Sequence, residues 1–545
     1  MNRRFFIKKY LLTSSVAIAV IAIVIIASYL INVDFVKIIR DFPSGFGWFL
    51  TKFTPIAKSF QSMDRIVLAL GSTVLSAIAA SVLAALVAYI FAIVGSKIIG
   101  FAGPTQFIIR GIASVIRNIP VVAWAFILLF AFKQSTFTGF LVLFLKSFGF
   151  LTRSYMELLD EISMSPIEAL QAVGATRLQI ITQAIIPLSM TSALSWALFR
   201  LESNIRDATL VGILTGTGIG FLFEVFYRSF RYDTAGLVVI TAGIVVVICE
   251  ASSNYLRRKL ITGTVSQHGN SSVILSRSGR IKTNVTTAQN KLLRSIIVTL
   301  IVLTVLFFLQ VDTGGVDLRV AFVNALKNFG IIVFEPGLGG HFQLITLIEG
   351  LFSTLSLAII TTFIGAIFAL LLGACAASNL TNKAVSNIIK VTASIIRSVP
   401  TILWVLIFTV AIGLGAEACI VGMLFHTVAF LTKAYSETFE NTDEGVIEAL
   451  KSIGATWWQV IFRAVLPEKL NELLTWTFLD LESNFVNAVV VGAVAGAGGI
   501  GYQLFLTANF YFNMHEVGLI TYLCLGVSLV FEIIATKLRR HFIVN

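Results

Sequence analysis

Ionisable side chains are scarce in this sequence, and those that interrupt its apolar runs are the first candidates for chemistry. Arg117 and Arg397 each stand three residues before a proline, and Glu202 and Glu482 lie in identical Leu-Glu-Ser-Asn tetrads. Arg200 and Arg206 flank the first tetrad, whereas no arginine flanks the second, so one half carries a cationic wall and the other does not. A charge at mid-bilayer depth costs about 2.5–3.5 kcal/mol on insertion scales and needs a partner or a water-lined path. Two roles are open. Glu202 can pair with Arg206 one turn on, or with Arg117 across helices, and simply hold a bundle together. Alternatively the arginines line a passage for an anion, their guanidinium forks matching its oxygens, with the glutamates as orienting partners.

Other chemistries lack their residues. No lysine follows a glycine, which removes a Walker A phosphate loop. The five histidines form no H-E-x-x-H, and Cys249, Cys375, Cys419 and Cys524 are scattered through apolar stretches, so neither a metal nor a disulfide framework is expected. Gly496-x-Gly498-x-x-Gly501 has the dinucleotide spacing but follows a membrane-like run instead of a strand. Those glycines read better as a bend or a close backbone approach near the outer surface. No cofactor is expected.

The elements that must position these residues follow from composition. Of 545 residues, 57% are hydrophobic and 12% charged, with mean hydropathy +0.92. Soluble domains carry roughly 25% charged residues, so this is an integral membrane protein. Residues 66–94 and 350–382 contain no Asp, Glu, Lys or Arg, which predicts spanning helices and not the short alternating segments of a barrel. The net charge of +12 fits cytoplasmic loops of a membrane protein better than a nucleic-acid partner, and none is expected.

One unit is written twice. Arg117, Pro120 and Trp124 recur 280 residues on as Arg397, Pro400 and Trp404, and 167–176 recurs at 447–456 with seven of ten residues identical. Each half offers six spans, near 11–31, 66–94, 107–132, 136–152, 187–214 and 235–255, then 292–311, 345–376, 388–414, 418–434, 467–495 and 517–536. An even number makes the halves parallel. The sequence therefore divides into a first unit (1–256), a basic linker (257–291) and a second unit (292–545). Eight Lys/Arg and no acid between 256 and 294 predict a cytoplasmic linker, and Arg3, Arg4, Lys8 and Lys9 put the N-terminus, and hence the C-terminus, on the same side. The external segment 32–65 holds five basic residues against that bias. The first span reads as retained, without a signal-peptide cleavage site.

The loop after the fourth span of each half is then cytoplasmic. Ser165-Pro166-Ile167-Glu168 predicts a capped helix start, Gly174 a left-handed helix end, and Thr176-x-x-Gln179 a second short helix ending near Pro187. Gly445 to Glu448, Gly454, Thr456 to Gln459 and Pro467 repeat the pattern. Such helices can merely pack beneath the membrane. However, Glu-Ala-x-x-x-x-Gly-Ala followed by Ile-x-x-x-x-x-Pro resembles the "EAA" loop of bacterial ABC-importer permeases. The second alanine of that motif is Leu170 or Leu450 here. Arg117-Asn-Ile-Pro-x-x-x-Trp124, Arg200 to Gly212 and the glycine-rich stretches 216–220 and 496–501 resemble the phosphonate-uptake subfamily in particular, over almost the whole of both halves.

The resemblance implies an all-α integral membrane protein of about twelve transmembrane helices in two parallel six-helix repeats, with the type I (MetI-like) importer permease fold. It implies two fused permease units in the plasma membrane of a bacterium, with two ABC ATPase subunits docking on coupling loops marked by Glu168, Ala169 and Gly174 and by Glu448, Ala449 and Gly454. ATP hydrolysis would belong to those partners and not to this chain. An extracytoplasmic solute-binding protein would deliver a small anionic substrate, a phosphonate or related phosphorus anion, across the surrounding lipid. Phosphate, thiamine phosphate or an amino acid as cargo, and an ion-gradient secondary transporter, are the competing readings.

Overall fold

The structure is a computed structural model that describes residues 18–97, 104–265 and 286–543, all helical apart from turns and connections. Arg3, Arg4, Lys8 and Lys9, and 266–285 of the expected linker, lie outside these residues. The first half runs through α1 (Ile18–Leu30), α2 (Phe35–Lys52), α3 (Met63–Gly95), α4 (Pro104–Asn118), α5 (Val121–Phe132) and α6 (Thr136–Asp160). It continues with short α7 (Ser165–Ala172) and α8 (Arg177–Ile180), then α9 (Ile186–Thr215), α10 (Gly218–Arg228) and α11 (Tyr232–Val265). The second half repeats the series as α12 (Thr286–Gln310), α13 (Leu318–Phe334), α14 (Leu344–Ala376), α15 (Lys383–Ser398), α16 (Thr401–Ile412) and α17 (Ala416–Glu440). It ends with α18 (Glu444–Ser452), α19 (Trp457–Val460), α20 (Leu466–Ala495), α21 (Gly499–Leu506) and α22 (Met514–Ile543).

Among the described residues, eight helices are long and apolar enough to cross a membrane, or up to eleven if each of three bent pairs counts as one span. The expected spans at 107–132 and 388–414 are sharply bent. Each is two helices, α4–α5 and α15–α16, meeting at 93° and 84°. Proline 120 or 400 cannot donate a helical hydrogen bond, and the chain turns there. After α1, which lies in the expected first span, the chain bends by 75° into α2, a second helix within the segment 32–65 read as external. The expected span at 136–152 is α6, whose apolar run is diluted by Lys146 and Arg153.

By their contacts the described residues divide into two compact units, one within 55–327 and one within 1–54 and 328–545. The helices that open each half are exchanged. Phe42 and Phe49 of α2 meet Phe408 and Trp404 of α16, with centroids 6.2 and 5.8 Å apart. In the other unit, Leu292, Ile296 and Leu300 of α12 pack on Leu194, Leu198 and Leu260. At the expected linker, α11 runs on to Val265 and α12 starts at Thr286.

Within 55–327 the centre is α3 against α6. Ala84, Ala88 and Ala92 recur every fourth residue and are wholly buried in one cluster with Leu151, Tyr155 and Leu159. Small residues let backbones approach where no water drives helices together. The other unit places Gly365, Ala369 and Gly373 on the equivalent stripe of α14. A Cβ at Gly365 would run into Thr427, and one at Gly373 would lie 2.8 Å from the Cβ of Tyr435.

Candidate functional site

The loop between α6 and α9 is built from local signals. Ile167 is buried in the unit's core, anchoring α7, while Glu168 and Ala169 face outward. Ser165 is the first helical residue and not the cap. Met164 occupies the cap position without a side-chain bond, and its carbonyl accepts from the Glu168 N–H at 2.9 Å. Gly174 has φ +80°. Its N–H donates to Gln171 O and that of Ala175 to Leu170 O, both at 3.0 Å, the paired bonds of a Schellman ending. Thr176 then opens α8, with its N–H donating to Gln179 Oε1 at 2.7 Å.

The other unit builds the same object with different letters. Asp443 caps α18 by accepting from Gly445 N at 2.9 Å, two residues earlier than the sequence pattern placed the start. Ile447 is buried, Glu448 and Ala449 are exposed, and Gly454 also has φ +80°. Gly454 N donates to Lys451 O and Ala455 N to Leu450 O, at 3.0 and 3.1 Å.

Just before each left-handed glycine stands an apolar side chain held in the open. Val173 is 79% exposed and Ile453 78%. Leu178 and Trp458 are exposed at matching places beside them. The second short helix does not end at the proline, contrary to expectation. A π turn, Ile181–Ile185 or Ile461–Val465, carries it directly into α9 or α20. Ile186 N donates to Ile181 O and Leu466 N to Ile461 O. The widened turn leads into Pro187 and Pro467, which lack the donor a regular turn would use. Each loop is thus the rigid foot of a long membrane helix.

A second connection ties the loop's other end. Arg110 of α4 meets Asp160, the last residue of α6, at 2.6 Å, and Lys390 of α15 meets Glu440, the last of α17, at 2.7 Å. Both partners change between repeats while the charges stay. Arg117 and Arg397 lie in the last turn of α4 and α15, beside the break of each bent pair. The Trp of the repeated motif closes the break: Trp124 Nε1 donates to Ile116 O at 3.3 Å and Trp404 Nε1 to Ile396 O at 3.2 Å.

Deeper in each unit lies a polar node. Asn204 Nδ2 donates to Ser81 Oγ and Ser147 Oγ at 2.8 and 2.7 Å. Asn484 Nδ2 meets Thr362 Oγ1 and Thr427 Oγ1, both at 2.9 Å. Around this common node the units differ. Arg200, only 5% exposed, donates from Nε to Ser147 Oγ at 3.0 Å, whereas its repeat counterpart Asp480 accepts from Asn484 at 2.9 Å. Glu202 pairs with Arg206 at 3.0 Å, one of the two roles expected, and with Arg257 at 3.5 Å. Glu482 is half-buried on α20. Sequence reading missed Arg257, counted as linker, and the Lys146–Asp207 pair at 2.8 Å. A lone lysine inside an apolar helix was the available signal for the latter.

The glycine-rich stretches are bends, as expected. Gly216, Gly218, Gly496, Gly498 and Gly499 all have positive φ. After each bend a buried hydroxyl receives the chain, Thr73 Oγ1 accepting from Ile219 N at 2.9 Å and Thr354 Oγ1 from Ile500 N at 3.0 Å.

Residues 88–262 and 369–543 each match the family described as binding-protein-dependent transport system inner membrane component, together more than half the chain. The chain belongs to this family. It is the multi-pass permease subunit of an ABC importer, a membrane component that works with an ATPase and a substrate-binding protein. Both matched stretches begin within α3 or α14, so they cover the repeated core and omit α1, α2, α12 and α13. The permease is 24% identical over 407 residues to the phosphate-import permease protein PhnE of Mycolicibacterium smegmatis, covering 73% of this chain and 71% of that one. It is 32% identical over 196 residues to the phosphite transport system permease protein PtxC of Stutzerimonas stutzeri, covering 36% of this chain and 70% of that one. Among solved structures, it resembles the inward-facing MetNI methionine ABC transporter with a TM-score of 0.34 and 22% identity, over 36% of this chain and 96% of that one. Family membership replaces the ion-gradient reading.

Proposed function

We propose that this permease imports a phosphonate or closely related phosphorus oxyanion, and that two ATPase subunits each grip one of its loops. The observation that carries the coupling role is the pair of exposed apolar knobs, Val173 and Ile453, each fixed by a buried isoleucine on one side and a left-handed glycine on the other. Large apolar side chains held rigidly in the open fit a partner's pocket. The foot of α9 or α20 then moves with whatever grips the loop, because the π turn carries the second short helix unbroken into the long one. Glu168, Ala169, Glu448 and Ala449 form the exposed helix face beside it. On this reading the loops, the linker and both termini face the cytoplasm of a bacterium, and the binding protein delivers cargo at the opposite face.

The cargo reading rests on what the relatives are named for and on the cations of one unit. Arg200 and Arg206 are candidates for the passage, and Arg117 and Arg397, at the proline breaks, are candidates for a hinge-side lining. Arg206→Ala should lower uptake while the complex still assembles. The deciding experiment changes Val173 and Ile453 to Asp. Each single variant should weaken ATPase co-purification and the double should abolish it, and full retention in the double would sink the coupling assignment.

A further inference from the structure

Lys146 and Arg200 converge on one oxygen. Lys146 Nζ and Arg200 Nη2 both donate to Asp207 Oδ2, at 2.8 and 3.4 Å. Ser147 and Ser203 hydroxyls accept from the same guanidinium, at 3.0 and 3.4 Å. The group lies deep. Lys146 is ten residues into α6 and Asp207 eight residues from the end of α9, so each is about 12–15 Å from the nearer helix end. Yet it is not sealed, since the side chains of Lys146 and Asp207 remain 29% and 21% exposed. At that depth an ionised pair open to lipid is too costly to persist, so its open side belongs on a water-lined surface. Two cations against one carboxylate leave a net positive charge there. The repeat offers no second copy, since His426, Asp480 and Asn487 stand at the equivalent places.

We propose that Lys146 and Arg200 form an oxyanion station within the passage, and that Asp207 is its internal counter-ion, displaced by a tetrahedral phosphorus oxyanion and restored when the cargo leaves. The proposal rests on the phosphorus-oxyanion reading above. With no cargo present, Asp207 offsets the cost of two desolvated cations. A phosphonate or phosphate presents several oxygens and satisfies the lysine, the guanidinium fork and the serine hydroxyls together. The returning carboxylate then competes for the cations, so the station binds strongly enough to admit an anion and weakly enough to release it.

The test titrates the purified permease–ATPase complex, without binding protein, with inorganic phosphate. It also measures uptake of methylphosphonate, phosphate and phosphite into proteoliposomes holding the full complex. Lys146→Met should weaken phosphate binding and Asp207→Asn should tighten it, each by about tenfold, the scale of one charged hydrogen bond. Half-maximal uptake should shift the same way, with a slower maximal rate for Asp207→Asn. A merely structural ion pair would move both variants together through lost assembly, read from ATPase co-purification and melting temperature, and that result would overturn the station. Asp207→Glu should restore wild-type titration. If Asp207→Asn does not assemble, Lys146→Met against Lys146→Arg decides: weak binding with Met and retained binding with Arg support the station, and equal binding overturns it. Unaltered phosphate titration in assembled Lys146→Met and Asp207→Asn overturns it as well. Wild-type failure to take up all three anions, with the titration responding as stated, overturns the cargo reading and leaves the station standing. Normal uptake kinetics in both variants does the reverse.

Discussion

Gly220 and Gly501 show how tightly single residues constrain the two units. A Cβ at Gly220 would fall on the carbonyl oxygen of Thr209, and one at Gly501 on that of Val489. The short helix after each bend can therefore lie against α9 or α20 only because these positions lack a side chain. Gly220→Ala should destabilise the purified protein by about 1–3 kcal/mol, the usual range for overpacking, seen as a lower melting temperature. Gly111, exposed on α4 with nothing within 4 Å of an added Cβ, is the control. Gly111→Ala should be neutral or stabilise by about 0.5–1 kcal/mol through helix propensity alone. Equal melting temperatures for the two variants would show that the bend tolerates a methyl group.

The tie between α4 and the end of α6 is a property of elements. Asp160 also accepts from Lys97 N at 2.8 Å, and Glu440 from Ser378 N at 2.7 Å, so one carboxylate holds three segments just before each loop. That geometry couples the loop to the proline break between α4 and α5. Reversing one partner, Arg110→Asp or Asp160→Arg, should cut uptake and ATPase stimulation, and the double reversal should recover part of both. The surface pair by itself is worth only about 1 kcal/mol, so recovery would report coupling more than stability. No recovery would mean that the backbone bonds to Asp160, not the ion pair, matter. The sequence showed the loop helices, their glycines and the Thr–Gln caps, because each is set by bonds spanning three to five residues. It misplaced the starts of α7 and α18 by one or two residues, since α7 starts from Met164 without any side-chain cap and the ends of short helices shift by that much with their surroundings.

At the scale of the whole molecule, one long helix in each unit separates the loop from the glycine bend. The 30-residue α9 alone is about 45 Å long at 1.5 Å per residue, enough to carry the chain from the loop near Val173 to the bend at Gly216 on the far side. In the other unit α20 does the same between Ile453 and Gly496. With the four native cysteines replaced, Val173→Cys and Ile453→Cys should react with an impermeant thiol reagent only from the cytoplasmic face. Phe230→Cys and Phe512→Cys, exposed beyond the bends, should react only from outside. Labelling of all four from one side would overturn the arrangement.

Sequence alone determined that the chain lives in a membrane, that it is written twice, and that each copy ends a short helix on a left-handed glycine. Those properties follow from composition and from forces acting within a turn or two of backbone. Tertiary structure alone decided that α1 and α2 pack with the second half and α12 with the first. It also decided that Glu202 takes Arg257, 55 residues away, and that Asp207 takes Lys146, 61 residues away. Burial of apolar surface is non-directional, so any oily helix face can satisfy any other. Which helix wins, and which charges then meet, is set by the rotation and packing of entire helices, and no short stretch of sequence encodes that.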